Sequence, residues 1–232
     1  MLTKHSISSL AIRGERQIWV QPSDGESADC CCVFLDAELY LERVMAADII
    51  EGLIGDGQIP PVTCVYLSYG EPDDRHLDFI CNPAFSNFLA EELLPWVEKA
   101  VGPHRKIFLC GLSLSGLATI FAACNYPSQF SGVLAQSPSA WWKEEWLAAN
   151  LPPAGYETLR IATSVGTDET QENVTHAPTL FQRTSQIDSC RRLAERLKCI
   201  AKNLRYIEYV GGHDSAAWAA ELPQTLIWLL ND

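Results

Sequence analysis

Short β-rich runs alternate with helix-like segments along most of this chain, and this alternation constrains the fold more than any other feature. The β-rich runs, in chain order, are RQIWVQ, CCCVFLDA, PVTCVYLSY, KIFLCG, GVLAQSP, LRIATSVG and LRYIEYVGG. Several are continuously apolar, which is typical of strands that are covered on both faces. Strands that alternate with helices predict a mostly parallel central sheet with helices on both faces. The predicted fold class is therefore α/β.

Four segments have the spacing or composition of helices. NFLAEELLPWVEKAV and SQIDSCRRLAERLKCIAKN each place apolar residues along one face, and SGLATIFAACNY is small and apolar nearly all round. The tail AAWAAELPQTLIWLLND predicts a final helix that Pro223 interrupts or restarts. The polar segment TDETQENVTHAPTLFQRTSQ lacks periodicity and predicts a long loop, either beside an active site or elsewhere on the surface.

Length and charge narrow the class of protein further. A chain of 232 residues with 47 % hydrophobic content predicts one domain spanning residues 1–232. The net charge of −12 disfavours nucleic acid and anionic lipid as partners. No apolar run approaches the roughly 20 residues that cross a bilayer, and the first residues predict no secretory signal, so we expect a soluble cytoplasmic protein. Nine cysteines without a C-x-x-C pair are best interpreted as small buried hydrophobes.

The stretch KIFLCGLSLSGLATIF reads as a strand, a sharp turn and a helix. Gly111, Ser113 and Ser115 then occupy the G-x-S-x-G positions of a nucleophile elbow, with serine in place of the second glycine. On this interpretation Ser113 is the nucleophile, and Ser115 is a small packing or capping residue. The alternative is that Ser113 or Ser115 is an ordinary helix N-cap.

Two further segments provide partners for a nucleophilic serine. In YVGGHDSAAW, a strand that ends in two glycines delivers His213 to a loop before the last helix, where α/β-hydrolases carry their histidine. The strand LRIATSVG is followed by Asp168 and Glu169, and a carboxylate there would fix the tautomer of His213. The residues by themselves leave the choice between the two acids open.

The chain resembles the enterochelin esterase-like branch of the putative esterase family, which has the α/β-hydrolase fold. The resemblance rests on VFLDAELY, the stretch from YGEPDD to ELLPWV, CGLSLSGLAT, YPSQFSGVLAQSPSAWW and GGHDSAAW, in this order. It runs from about Val33 to the end of the chain.

This resemblance implies roles for individual residues. Ser113 is expected to be the nucleophile, His213 the general base and Glu169 the acid, with Asp168 as the alternative acid. The oxyanion hole is expected to use the backbone N–H groups of Leu114 and Ala37, where Ala37 replaces a glycine of the family. Some relatives work with a serine–histidine dyad. No metal or organic cofactor is implied.

The expected partner is a small-molecule ester or lactone, and the expected enzyme is a serine carboxylic ester hydrolase. Arg75, Trp141 and Trp142 are candidate substrate-binding residues, each with a structural alternative. A siderophore-type ester would benefit from positive charge, for which the sequence offers Arg75, Lys143 and Arg183. Two other functions stay open: a non-catalytic binding protein with a hydrolase fold, and an acyltransferase that uses the same serine. The sequence does not indicate an oligomeric state.

Overall fold

The structure is a computed structural model, and it describes residues 1–23, 28–152, 155–156 and 158–231. Within these residues there are ten strands, eight of which form one sheet. They are β1 (Thr3–Ser8), β2 (Glu15–Gln21), β3 (Cys30–Leu35), β4 (Val62–Leu67), β5 (Lys106–Leu112), β6 (Gly132–Gln136), β7 (Arg160–Gly166), β8 (Val174–Ala177), β9 (Leu180–Gln182) and β10 (Asn203–Tyr209). All seven predicted strands are present, as β2 to β7 and β10.

The large sheet has the order β1-β2-β4-β3-β5-β6-β7-β10. In this order, every neighbouring pair from β4 to β10 is parallel. At the other edge, β1 pairs antiparallel with β2, and β2 pairs antiparallel with β4. The prediction of a mostly parallel sheet is confirmed. β1 was not predicted, because its side chains are mostly exposed and TKHSIS carries no apolar run.

Helices cover both faces of the sheet. They are α1 (Ala37–Glu42), α2 (Ala46–Gly55), α3 (Pro72–Asp78), α4 (Pro83–Asn87), a π-helical turn (Phe88–Leu93), α5 (Leu94–Val101), α6 (Ser113–Asn125), α7 (Trp142–Asn150), α8 (Gln186–Lys198) and α9 (Ser215–Leu230). The four predicted helical segments correspond to the stretch from the π-helical turn through α5, to α6, to α8 and to α9. None of these helices is both long and apolar enough to span a bilayer, within the part of the chain that the structure describes.

Two apolar cores lie on opposite faces of the sheet, and the side chains of one strand divide between them. In β3, Val33 and Leu35 belong to the core that includes the apolar residues of α6 and α8. Cys32 and Phe34 belong to the other core, which includes those of α1, α2 and α9. This explains why the strand sequences are continuously apolar, since both faces of each central strand are buried. Eight of the nine cysteines are buried, and Cys199 is exposed.

Pro223 does not interrupt the last helix, contrary to the sequence prediction. α9 continues through it from Ser215 to Leu230. A proline inside a helix costs about 3 kcal/mol, because it removes one hydrogen bond and crowds the preceding turn. The same helix buries Leu222, Leu226 and Leu229. Burying each of these side chains contributes about 1.5–3 kcal/mol, which outweighs that cost.

The polar segment after β7 also differs from the prediction of a long loop. It contains the hairpin of β8 and β9, which pair antiparallel from Val174 opposite Gln182. The hairpin is short and has an exposed side, so its sequence carries little apolar periodicity. It lies beside the cavity described below, in agreement with the first of the two expected locations.

Candidate active site

Ser113 begins α6 immediately after β5, in a sharply strained turn. Its φ of 54° lies in the left-handed region, which non-glycine residues rarely adopt. A Cβ on Gly111 would lie 2.5 Å from the backbone oxygen of Ser115, so no side chain fits there without moving the backbone. Gly111 is therefore required by close backbone approach, as the elbow interpretation predicts.

Ser115, the residue that departs from the elbow pattern, is fully buried and caps the turn. Its hydroxyl accepts from the backbone N–H of Leu112 at 2.9 Å and donates to the Leu112 carbonyl at 2.8 Å. The Ser115 hydroxyl therefore donates to and accepts from the backbone of Leu112, and of the two serines in the motif Ser113 is the one that lines the cavity.

His213 lies between Ser113 and Glu169. Its Nε2 is 2.9 Å from Ser113 Oγ, and its Nδ1 is 2.6 Å from Glu169 Oε2. The Glu169 side chain is 1 % exposed and that of His213 is 39 % exposed. A carboxylate can only accept, so Nδ1 carries the proton and the Nε2 lone pair faces the serine hydroxyl.

The second oxygen of Glu169 is held by groups that the sequence did not single out. Oε1 accepts from the Gly166 backbone N–H at 2.7 Å and from the Ser137 hydroxyl at 2.6 Å. The Tyr209 hydroxyl lies 2.9 Å from Ser137 Oγ, and Trp218 Nε1 donates to Ser137 Oγ at 3.2 Å. Ser137 directly follows β6, and the other three residues come from β7, β10 and α9, so no local sequence signal connects them.

Asp168 is the neighbour of Glu169 but does not meet the histidine. It is exposed, and its backbone N–H donates to the Gly211 carbonyl at 2.9 Å. Of the two acids that the residues left open, Glu169 is the one in contact with His213 Nδ1.

Leu114 and Ala37, the expected oxyanion donors, both lie in the first turn of a helix that follows a strand. β3 and β5 are adjacent and parallel, with Phe34 opposite Cys110, so Ala37 and Ser113 each lie three residues beyond this pair. The first N–H groups of a helix have no intrahelical acceptor and can bind an anion. Leu114 lines the cavity, and Ala37 is fully buried.

A cavity of about 490 Å³ opens beside Ser113 and His213. Trp141 lines it and stacks on His176 of the β8–β9 hairpin, with ring centroids 4.9 Å apart. Trp142 is not among the residues that line it in the described part of the chain, because its ring packs edge-on against Trp146. Trp141 therefore forms part of the cavity wall, whereas Trp142 packs against Trp146.

Arg75 lines the same cavity but is engaged in an ion pair. Its Nε and one terminal nitrogen each lie 2.7 Å from a different oxygen of Asp36, which is fully buried. Burial lowers the pKa of Arg75, but the charge of Asp36 and the hydrogen bonds to it lead the contributions that outweigh burial and raise it. The structural role considered for Arg75 is thus present, at the turn that leads to Ala37.

Comparison with known proteins identifies the family. The model of the family described as "Putative esterase" matches residues 9–229. The chain belongs to this putative esterase family. The resemblance that the sequence segments indicated is thereby confirmed.

Proteins with related sequences include two bacterial esterases. The iron(III) enterobactin esterase of Dickeya dadantii is 26 % identical over 242 residues, which cover 99 % of this chain and 55 % of the relative. The iron(III) salmochelin esterase of Escherichia coli O6:H1 is 26 % identical over 212 residues, covering 82 % of this chain and 48 % of the relative. The chain thus spans about half the length of the curated relatives that it matches.

Solved structures of similar proteins confirm the predicted α/β-hydrolase fold. The enterobactin esterase of Shigella flexneri, in the presence of enterobactin, has a TM-score of 0.83 at 22 % identity, covering 99 % of this chain and 59 % of that protein. An IroE-like serine hydrolase from Shewanella oneidensis has a TM-score of 0.79 at 19 % identity, covering 99 % of this chain and 80 % of that protein.

Proposed function

We propose that this chain is a serine carboxylic ester hydrolase that cleaves a small-molecule ester or lactone through an acyl-enzyme. The observation that carries the proposal is the continuous contact from Ser113 Oγ to His213 Nε2 and from His213 Nδ1 to Glu169, beside an open cavity. Membership in the putative esterase family supports the same class of reaction. The related enterobactin and salmochelin esterases make a siderophore-type ester one candidate among small-molecule substrates.

The first half of the reaction forms the acyl-enzyme. Ser113 Oγ attacks the ester carbonyl carbon while its proton passes to His213 Nε2, and the carbonyl electrons move to the oxygen. The N–H groups of Leu114 and Ala37 stabilise this oxyanion, each contributing about 3 kcal/mol in related chemistry. When the tetrahedral intermediate collapses, the bond to the alcohol oxygen breaks and the imidazolium protonates this leaving group.

The second half regenerates the enzyme. His213 Nε2 takes a proton from water, whose oxygen attacks the acyl carbon, and the collapse returns the proton to Ser113 Oγ. Throughout, Glu169 holds the Nδ1 proton in place and stabilises the imidazolium through its Oε2. An acyltransferase would differ only in that an alcohol or sugar hydroxyl replaces water.

A fluorophosphonate probe tests the proposal. Wild type is expected to be labelled and to hydrolyse short nitrophenyl esters, and Ser113→Ala is expected to lose both activities. Ser115→Ala, in the same motif, is the matched control and is expected to retain labelling, because its hydroxyl is directed to Leu112. An unlabelled, inactive but folded wild type would favour the binding-protein alternative. In the presence of an added alcohol, hydrolysis releases the free carboxylic acid. Formation of the acyl ester of that alcohol instead would indicate acyl transfer.

A further inference from the structure

The cations that the sequence offered for an anionic substrate are engaged elsewhere. Both Arg75 nitrogens that approach Asp36 are 2.7 Å from its oxygens, so this guanidinium is neutralised by a buried carboxylate. Arg183 is paired with Glu144 at 3.3 Å on the surface. Lys143 Nζ lies over the ring of Trp142, 5.7 Å from its centroid. Neither Arg183 nor Lys143 lines the cavity in the described part of the chain.

Negative charge, in contrast, faces the cavity, and no arginine or lysine of the described residues is paired with it. Asp168 lines it and is exposed, and among the described residues its side chain contacts the neutral hydroxyl of Thr167 at 3.4 Å. Glu169 lines it as well, and its side-chain partners are His213, Ser137 and Tyr209. With histidines counted as neutral, the charged lining residues are Arg75, Asp168 and Glu169, so the net charge of the lining is negative.

The remaining lining residues are uncharged, and they combine hydrogen-bonding groups with apolar surface. Besides Ser113 and His213, the hydrogen-bonding side chains are those of His76, Ser139, Gln171, His176, Gln182 and Gln186, with the histidines counted as neutral. The apolar side chains are those of Leu114, Trp141, Val174 and Leu180. Such a lining stabilises a neutral substrate with polar groups and one flat or apolar part, whereas a carboxylate or phenolate would be desolvated without a cation to compensate it.

From this balance of charge we infer that the site takes uncharged esters and discriminates against anionic esters of the same shape. The inference rests on the proposed function and narrows its substrate class. The long-range effect of the net charge of −12 is largely screened at physiological ionic strength, so the groups that line the cavity decide the selectivity. A siderophore-type substrate that binds as an anion is disfavoured on this ground.

The test compares two esters that differ only in charge at one end. The 4-nitrophenyl ester of 4-carbamoylbenzoic acid is neutral, and that of terephthalic acid carries a carboxylate of nearly the same size. Each kcat/KM is divided by the rate constant of the same ester with neutral imidazole, an uncharged nucleophile, which corrects for the difference in intrinsic reactivity without introducing charge repulsion. We expect the neutral ester to be preferred about tenfold at low ionic strength, and the preference to shrink as salt screens the repulsion.

Two charge-removing variants locate the source of the preference. Asp168→Asn is expected to reduce it about threefold, because one uncompensated charge leaves the lining. Glu195→Gln removes one negative charge near the end of α8. Glu195 lies beside Leu204 at the start of β10, whereas the cavity lies where the parallel strands end. This variant is expected to have the same preference as wild type.

The inference is overturned if the anionic ester is cleaved as well as the neutral one at low salt, or if Asp168→Asn and Glu195→Gln have the same effect. Fluorophosphonate labelling of Ser113 separates this failure from failure of the proposed function. A labelled enzyme that prefers the anionic ester contradicts the charge argument alone. An enzyme that is neither labelled nor active on either ester contradicts the proposed function on which the inference rests.

Discussion

Glu169 divides its two carboxylate oxygens between two tasks, and only one of them faces His213. Oε2 lies 2.6 Å from His213 Nδ1, while Oε1 accepts from the Gly166 backbone and from Ser137. A carboxylate fixed at one oxygen cannot rotate away from the histidine. The orientation of the imidazole therefore depends on groups that do not touch the serine.

Replacing Glu169 by Gln should lower kcat by about 10³ to 10⁴, as for the corresponding change in other serine triads. The two donors at Oε1 should hold the amide oxygen there, so that its NH₂ group points at His213 Nδ1. The proton then moves to Nε2, which can no longer accept from Ser113. The measurement is kcat on a neutral nitrophenyl ester.

Asp168→Asn distinguishes the two acids in the same assay. Because Asp168 does not contact His213, we expect a loss of no more than about tenfold, well below the loss that a triad acid causes. Equal losses in the two variants would contradict the assignment of Glu169.

Removing the Ser137 hydroxyl should lower kcat by about ten- to a hundredfold with little change in KM, since a hydrogen bond to a charged group contributes about 1.5–3 kcal/mol. Ser137 has a φ of 43°, so Ser137→Gly relieves the backbone while Ser137→Ala does not. If the hydroxyl acts by positioning Glu169, both variants lose kcat equally although their melting temperatures differ. A kcat that follows the melting temperature would indicate a purely structural role.

Tyr209→Phe is the control for Ser137, because the Tyr209 hydroxyl is 3.3 Å from Glu169 Oε1 and its loss leaves the Ser137 donor in place. A smaller loss of kcat is expected.

Gly111→Ala should destabilise the fold by about 1–3 kcal/mol or more, which is the range for overpacking. The new methyl group would lie 2.5 Å from the Ser115 carbonyl oxygen, and backbone atoms in a buried turn cannot yield as a flexible side chain can. Gly52→Ala, in α2, is the matched control. No atom lies within 4 Å of its Cβ position, so it should stabilise the helix by about 0.5–1 kcal/mol. Denaturant unfolding measures both, and a Gly111→Ala variant as stable as wild type would contradict the turn geometry.

Glu221 should make the protein less stable as the pH rises above the ordinary range of a carboxyl group. Burial raises its pKa, against hydrogen bonds from Thr225 and Gln136 that lower it. A raised pKa means that the folded state binds the proton more tightly than the unfolded state does, so stability is full at low pH and falls as the pH passes through the folded pKa. Glu221→Gln cannot ionise and should lack this decline.

Melting temperatures of wild type and Glu221→Gln between pH 5 and pH 8 test this expectation, with Glu195→Gln as an exposed control that keeps the wild-type slope. Parallel curves for wild type and Glu221→Gln would show that the buried carboxyl does not control the pH dependence.

The amino-acid sequence alone was sufficient to predict the fold class, the seven main strands and the family, because each is encoded locally. Continuous apolar runs indicate that a strand is buried on both faces. Gly111, two residues before Ser113, indicates a turn with no room for a Cβ. The sequence also singled out Ser113, His213 and the pair of acids after β7, since each follows a parallel strand and such strand ends share one edge of the sheet. Their catalytic roles stay predictions.

The three-dimensional packing was needed to define which groups these residues contact. It selected Glu169 over Asp168 as the partner of His213, brought Ser137 and Trp218 behind that carboxylate, and paired Arg75 with Asp36. It also directed Trp141, but not Trp142, to the cavity and carried α9 through Pro223. These outcomes depend on contacts between residues far apart in the chain, and local propensity does not encode the distances, burial and charge pairing that fix them.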